Sequence, residues 1–218
     1  MRKFKLFLDP IEEQTVWLNK QAEKGRKLAK VGKLFYEFEP CKQGEYQYAV
    51  VYIGNKSNQE RLEYERFLKE MNITFYEKAV DLGHFSIGKI KYRPFADKGG
   101  KFATSGGMIN RELLILEKKN DGKPFTIYNS ILDKAEALKE YRKPYSYYLI
   151  FLLVFNIYFY LTSKSGFLFA SFTSLSGDWG KILSALILFI ALGTIPLIRW
   201  IALTSKIARL EKEAEVHE

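Results

Sequence analysis

The sequence predicts an α+β protein in two parts: a ferredoxin-like β-α-β-β-α-β cytoplasmic domain with extra strands, then a two-helix transmembrane hairpin. Three observations carry that expectation. Short β-rich blocks alternate with two helix starts marked by capping residues over the first 80 positions. A run without charge extends from Tyr145 to Thr162, about eighteen residues, the lower end of what crosses roughly 30 Å of hydrocarbon. A second apolar run, "ILSALILFIALGTIPLIRWIAL", covers Ile182 to Leu203 and is broken only by Arg199. The expected divisions are a domain at 1–129, a linker helix at 130–143, spans at 144–163 and 182–203, an external loop at 164–181 and a cytoplasmic tail at 204–218.

In "MRKFKLFLDP", Phe4, Leu6 and Leu8 alternate with Lys3, Lys5 and Phe7, the pattern of a strand with one buried face. Asp9 reads as an N-cap, with Pro10 at the first helical position and Glu12 at the capping-box acid. That helix should reach about Lys24, with Ile11, Thr15, Leu18 and Ala22 on one face and Gly25 as terminator. The blocks "LAKVGKLFYEFEP" and "GEYQYAVVYIG", separated by Pro40 to Gly44, form a predicted hairpin. Ser57 and Glu60 have capping-box spacing and open a helix with the core stripe Tyr64, Phe67, Leu68 and Met71. The strand "ITFYEKAV" follows and completes the ferredoxin-like order.

Beyond it, "HFSIGKIKYRPF" and "RELLILEKK" read as extra strands around the glycine-rich link "DKGGKFATSGG", whose spacing is not that of a phosphate-binding loop. A flexible hairpin or lid is the expected role of that link, and the segment 81–107 around it reads as either a lid or packed strands. From Ser130, "SILDKAEALKEYRKPY" is an amphipathic helix leading into the first span.

The mean hydropathy of −0.18 averages a polar, basic region and an apolar tail and describes neither. Residues 1–143 hold about 28 Lys and Arg against about 20 Asp and Glu, so most of the net charge of +9 lies ahead of the spans. Lys134, Lys139, Arg142 and Lys143 precede the first span, and Arg199, Lys206 and Arg209 close the second. Only Lys164 and Lys181 lie between them, which orients both termini to the cytoplasm. The opening has neither a long apolar core nor a small-residue cleavage site, so the spans are expected to insert as internal segments. The expected location is a cell membrane, and anionic membrane lipid is an expected partner of the basic region.

The chemistry of catalysis is missing from the pattern. Cys41 is the sole cysteine and the two histidines, His84 and His217, stand apart, so neither a disulfide, a zinc spacing nor a Cys–His pair is expected. The acids at 12–13 and 63–70 alternate with bases, as on solvated helix faces. No nucleophile elbow or dinucleotide fingerprint occurs. The expectation is a protein without enzymatic activity, cofactor or metal.

Candidate contact residues come from the aromatic content of the strands. With Ala49, Val51 and Ile53 facing the helices, Tyr46, Tyr48 and Tyr52 fall on the opposite sheet face, with Phe35 and Phe7 as neighbours. RNA-recognition sheets stack bases on such aromatics. The favoured reading is that the extra strands or a second copy of the domain cover this face. Protein-partner recognition comes next and RNA last. In the second span, Gly193 and Pro196 mark a packing site for another helix, and Asn156 is the main polar residue of the first.

The ordered blocks "KFKLFLD", "WLNKQAEKG", "LAKVGKLFYEFE", "GEYQYAVVYI" and "KPFTIYNSILDKAEALKEY" resemble the bacterial, mainly Firmicutes, membrane-protein family labelled domain of unknown function 2812. The resemblance implies a cytoplasmic domain joined to a few membrane helices. It also implies an envelope-stress or regulatory setting, because such genes often stand beside PadR-type repressors, and it brings no catalytic residues. The chain departs from that pattern at Gly25–Arg26, where the family has a tryptophan, and in the segment 81–107. The expected role is that of an accessory or regulatory subunit working through contacts of its cytoplasmic domain, with an unidentified membrane or regulatory protein as partner. Homo-oligomers or a self-assembling scaffold are the alternative, and a membrane-tethered RNA-binding module is the rival from another class.

Overall fold

The computed structural model describes residues 1–7, 9–32, 34–80, 85–87, 90–92, 102–103, 112–128, 130–162 and 178–217. The chain divides into two compact units, Met1–Ala137 and Leu138–Glu218. The fold is mixed α+β, with small antiparallel sheets and four helices.

The first unit opens with β1 (Arg2–Phe4), α1 (Glu12–Ala22), β2 (Arg26–Val31) and β3 (Phe35–Pro40). Asp9 Oδ1 accepts from the backbone N–H groups of Ile11 and Glu12 at 2.9 and 3.0 Å in the turn that leads into α1, while the helix itself starts two residues later than the sequence predicts, at Glu12 with Ile11 as its N-cap. Gly25 ends the helix at φ +68°, and a Cβ there would stand 2.9 Å from the Cys41 carbonyl oxygen. "LAKVGKLFYEFEP" is a correction to the expected order: it is two strands and not one. Gly32 turns the chain back, its N–H donating to the Phe35 carbonyl at 2.8 Å. The resulting sheet has the order β1-β3-β2 with β3 antiparallel to both neighbours, so β1 and β2 run parallel on either side of it.

The second half repeats that plan. β4 (Tyr46–Tyr52), α2 (Asn58–Glu70) and β5 (Thr74–Lys78) are followed at a distance by β9 (Leu113–Lys119), which inserts between β4 and β5 and pairs antiparallel with each. Both halves are therefore split β-α-β units of three strands. The single four-stranded sheet expected from a ferredoxin-like order gives way to two three-stranded sheets, because each half supplies its own central strand. Between β5 and β9, the short strands β6 (Phe85–Ile87), β7 (Ile90–Tyr92) and β8 (Phe102–Ala103) pair in sequence as a third antiparallel sheet. The rest of the expected hairpin or lid lies outside the described residues.

Two burial patterns differ from expectation. In β1 the apolar Phe4 and the following Leu6 are exposed while Phe7 is buried. The inward position of β1 belongs to Lys3, whose ammonium donates to Gln21 Oε1 on α1 at 2.7 Å. On α2 the Ser57–Glu60 capping box is formed, but Phe67 and Met71 are exposed. Arg61, Glu65 and Leu68 make the buried stripe, with Arg61 paired to Glu65 and 3.5 Å from Glu77. Pairing lets two charged side chains occupy the face that the hydrophobic pattern gives to aromatics. Leu68 joins Val51, Ile53, Leu114 and Leu116 in the core on this side of β4 and β9.

In the second unit, α3 (Ile131–Thr162, its first turns belonging to the first unit) and α4 (Asp178–His217) run antiparallel. Lys139 pairs with Glu211, Arg142 with Thr204, Tyr145 with Arg199 and Tyr148 with the Leu192 carbonyl. The expected linker helix and first span are one uninterrupted helix despite Pro144. The expected second span and tail are likewise one helix, which starts inside the stretch read as external loop. The remainder of that loop lies outside the described residues. Among those described, one helix, Phe189–Val216, is long and apolar enough to cross a membrane, with only 17% of its apolar 18-residue stretch buried. The buried positions of α4 include Gly193, Leu203, Ile207 and Ala214, and those of α3 Leu138, Tyr141, Tyr145, Leu152 and Asn156. The spacings of three, four and seven in α3, and of ten, four and seven in α4, are those of a coiled-coil seam.

Candidate functional site

The sequence-derived candidates separate into two groups. Tyr48 is 1% exposed, and Tyr52 and Phe7 are also buried, so these three form no open stacking surface. Tyr46 is half-buried with the Lys27 ammonium 5.0 Å from its ring centre. Phe35 is 42% exposed. On the face of β4 that carries Tyr48, Leu28 of β2 meets the tyrosine hydroxyl, whereas the sequence suggests the extra strands or a second copy as the cover. Alternation along β4 gives the parity of the two faces correctly. It cannot reveal that both are covered.

What Tyr48 does there is structural. Its hydroxyl donates to Glu117 Oε2 at 2.7 Å and accepts from the Leu28 N–H at 2.8 Å. The Tyr76 hydroxyl donates to the Leu28 carbonyl at 2.7 Å and lies 3.4 Å from the same carboxylate oxygen. Leu28 needs these partners because the β2–β3 register shifts between Leu28 and Lys30. Lys27, 3.8 Å from Glu117 and 3.4 Å from Glu39, brings positive charge to the carboxylate. Glu117 is 3% exposed, and burial raises its pKa against the lowering by Tyr48, Lys27 and Tyr76. Burial likewise raises both tyrosine hydroxyls, which stay protonated donors. The one sequence signal for this network is Glu117 itself, an acid on the Tyr48-facing side of the apolar strand "LLILEKK".

A carboxylate whose folded pKa is raised holds its proton more tightly in the native state, so its contribution is present below the ordinary carboxylate pKa. That contribution is lost as pH rises through the folded value. Glu117→Gln, which does not titrate, therefore gains on the wild type as pH rises. The expected result in equilibrium denaturation of the full chain is a stability gap that moves in the variant's favour between about pH 4 and pH 7. A gap constant over this range rules out a raised Glu117.

The outward face of the first sheet presents a different surface. Phe4 and Phe35 are register partners, their rings meeting edge to face at 5.5 Å, and the Arg2 guanidinium lies 4.1 Å from the Phe35 ring centre. Phe4 is 61% exposed, and Leu6 beside it is exposed too. Two aromatics and a leucine around the edge strand β1 make an exposed apolar patch, the makings of a contact site. Phe4 and Leu6 escape the sequence reading because their alternation marks one face of a strand without saying which face is dry.

A groove of 570 Å³ lies between α1, β4 and residues 125–131, lined by Ile11, Val16, Val50, Phe125, Ile127 and Ile131 among others. Glu12 and Lys134 in its lining are paired at 3.1 Å, and the Tyr128 hydroxyl is pushed up to about 12 by burial. Among the described residues no group of three or more His, Cys, Asp or Glu is placed to hold a metal ion.

In the helical unit, a Cβ on Gly193 would meet Leu152 Cδ2 at 3.0 Å, so the glycine lets α3 and α4 approach closely. Pro196 is half-buried one turn further along.

These features define a mixed α+β protein with a candidate membrane-spanning helix near its C-terminus. The chain belongs to the family described as protein of unknown function DUF2812, whose model matches residues 10–152. No curated protein and no solved structure shows significant similarity to it.

Proposed function

We propose that this is a non-enzymatic integral membrane protein, an accessory or regulatory subunit of the bacterial envelope that acts through protein contacts of its first unit. In this reading the apolar parts of α3 and α4 both span the membrane, with both termini in the cytoplasm. Support for the membrane part comes from the surface of the hairpin. Ile150, Phe151, Val154 and Ile157 of α3 and Ile190, Ile195 and Ile198 of α4 are all exposed, a surface suited to hydrocarbon and costly in water. The basic residues concentrated ahead of the first span and after the second support the orientation.

The observation that carries the contact reading is the exposed Phe4–Phe35 pair on the outward face of the first sheet. The burial of Tyr48 and Tyr52 takes base-stacking groups away from the RNA alternative. The test is crosslinking in native membranes and affinity purification through a C-terminal tag, with protein and RNA both identified. A double substitution, Phe4→Ser with Phe35→Ser, is expected to reduce the recovered partner at least about tenfold, the loss of two hot-spot aromatics, while membrane insertion is unchanged. Recovery of the same partner at wild-type yield removes this surface from the proposal. Recovery of RNA, or only of further copies of the chain, replaces it with the RNA-binding or self-assembly reading.

A further inference from the structure

At one level of the α3–α4 hairpin the side chains change from apolar to polar on both helices at once. Arg142 Nη1 donates to Thr204 Oγ1 at 2.9 Å, Trp200 Nε1 donates to Ser146 Oγ at 2.8 Å, and Arg199 Nη1 donates to the Tyr145 hydroxyl at 2.8 Å. Beyond this level toward the C-terminus of α3 come the exposed apolar residues Ile150, Phe151 and Val154. In the other direction comes the ion pair of Lys139 with Glu211. Tyrosine, tryptophan and arginine between an apolar and an ionic zone mark a headgroup layer.

Within this layer Arg199 is held by the hydroxyl and ring of Tyr145, and Arg142 is held in a comparable way. The contacts of Arg142 are the Thr204 hydroxyl and the Trp200 ring, 5.7 Å from its guanidinium carbon, and both are neutral. The Thr204 hydroxyl donates to the Trp200 carbonyl at 2.8 Å, so toward Arg142 it can only accept, which fixes one edge of the guanidinium. The Trp200 N–H is committed to Ser146, which fixes the ring. A guanidinium held by one edge keeps its other N–H donors in a planar fork that matches two oxygens of a phosphate.

Resting on the membrane reading above, we propose that Arg142, Trp200 and Thr204 form a seat for the phosphate of an anionic phospholipid headgroup, with the acyl chains running along the exposed apolar side chains of α3. Arg142 supplies the charge and the paired donors. Thr204 and Trp200 are positioning residues. Ser146 holds the indole in place and leaves the fork open.

The test uses the full chain reconstituted into vesicles of equal parts phosphatidylglycerol and phosphatidylcholine, followed by native mass spectrometry of retained lipid. Wild type is expected to retain phosphatidylglycerol over phosphatidylcholine by about fivefold, the selectivity of one well-placed cation near a lipid surface. Arg142→Gln, which can still donate to Thr204, is expected to lose this preference while floating with the vesicles and keeping its helical content. Arg142→Lys is expected to keep part of it. Equal retention of the two lipids by wild type, an unchanged preference in Arg142→Gln, or displacement of the bound lipid by millimolar inorganic phosphate overturns the headgroup site alone. Failure of the wild-type chain to float with vesicles of any composition overturns the membrane reading and the site with it.

Discussion

Replacing Tyr48 with Phe lowers the stability of the first unit by about 3 kcal/mol, because one missing oxygen leaves two buried groups short of a partner. The Leu28 N–H loses its acceptor at the register shift in β2, and the Glu117 carboxylate loses its shortest donor. Neither can turn to water, since Leu28 is fully buried and Glu117 nearly so. Tyr76 compensates little, because its hydroxyl donates to the Leu28 carbonyl at 2.7 Å and reaches Glu117 only at 3.4 Å. The measurement is amide hydrogen exchange of the full chain in detergent. The β2 and β9 amides that exchange through global opening should accelerate by about a hundredfold. Tyr46→Phe, which removes no buried hydrogen bond, should change these rates less than threefold. Rates within threefold of wild type for Tyr48→Phe would show that the network is dispensable.

Gly193→Leu is expected to destabilise the helical unit by about 2–3 kcal/mol, the usual effect of overfilling a packed seam. The space is already taken by Leu152, whose Cδ2 stands 3.0 Å from where a Cβ would sit. Gly193→Ala should be tolerated, because that methyl is the far end of a flexible side chain and can move aside. Leu152→Ala should restore much of the loss in the Gly193→Leu background, a coupling expected only of residues in direct contact. Thermal unfolding in detergent for the four combinations provides the cycle, and strictly additive effects would show that the two positions do not meet.

Local signals were legible in the sequence wherever backbone groups are satisfied by near neighbours. The Ser57–Glu60 box marks a helix start where the structure has it, Asp9 and Gly25 mark turns just outside the two ends of α1, and β4, β5 and β9 lie inside the blocks read as strands. Long-range pairing was not legible. Nothing in "LAKVGKLFYEFEP" states that its second half pairs with Arg2–Phe4 as well as with its own first half, yet this decides between one sheet and two. Face assignment failed for the same reason. Lys3 turns inward because Gln21 of α1 happens to accept its ammonium, and Arg61 turns inward because Glu65 and Glu77 answer it. Of the contact candidates, Phe35 keeps an exposed ring, whereas its partner Phe4 became visible only once the register of the first sheet was known.

The repeated β-α-β-β plan has a consequence for how the chain tolerates change. In the first half the passage from the second strand to the third is a tight turn at Gly32, whereas in the second half the same passage takes the chain from Lys78 out to β6–β8 and back to Leu113. Lys78 and Leu113 are themselves register partners, so the chain leaves and re-enters at adjacent points on the sheet. Such an excursion is a parenthesis in the grammar of the fold. Because the entropy of closing a loop rises only with the logarithm of its length, this parenthesis can grow, shrink or be rewritten while the sentence around it still closes.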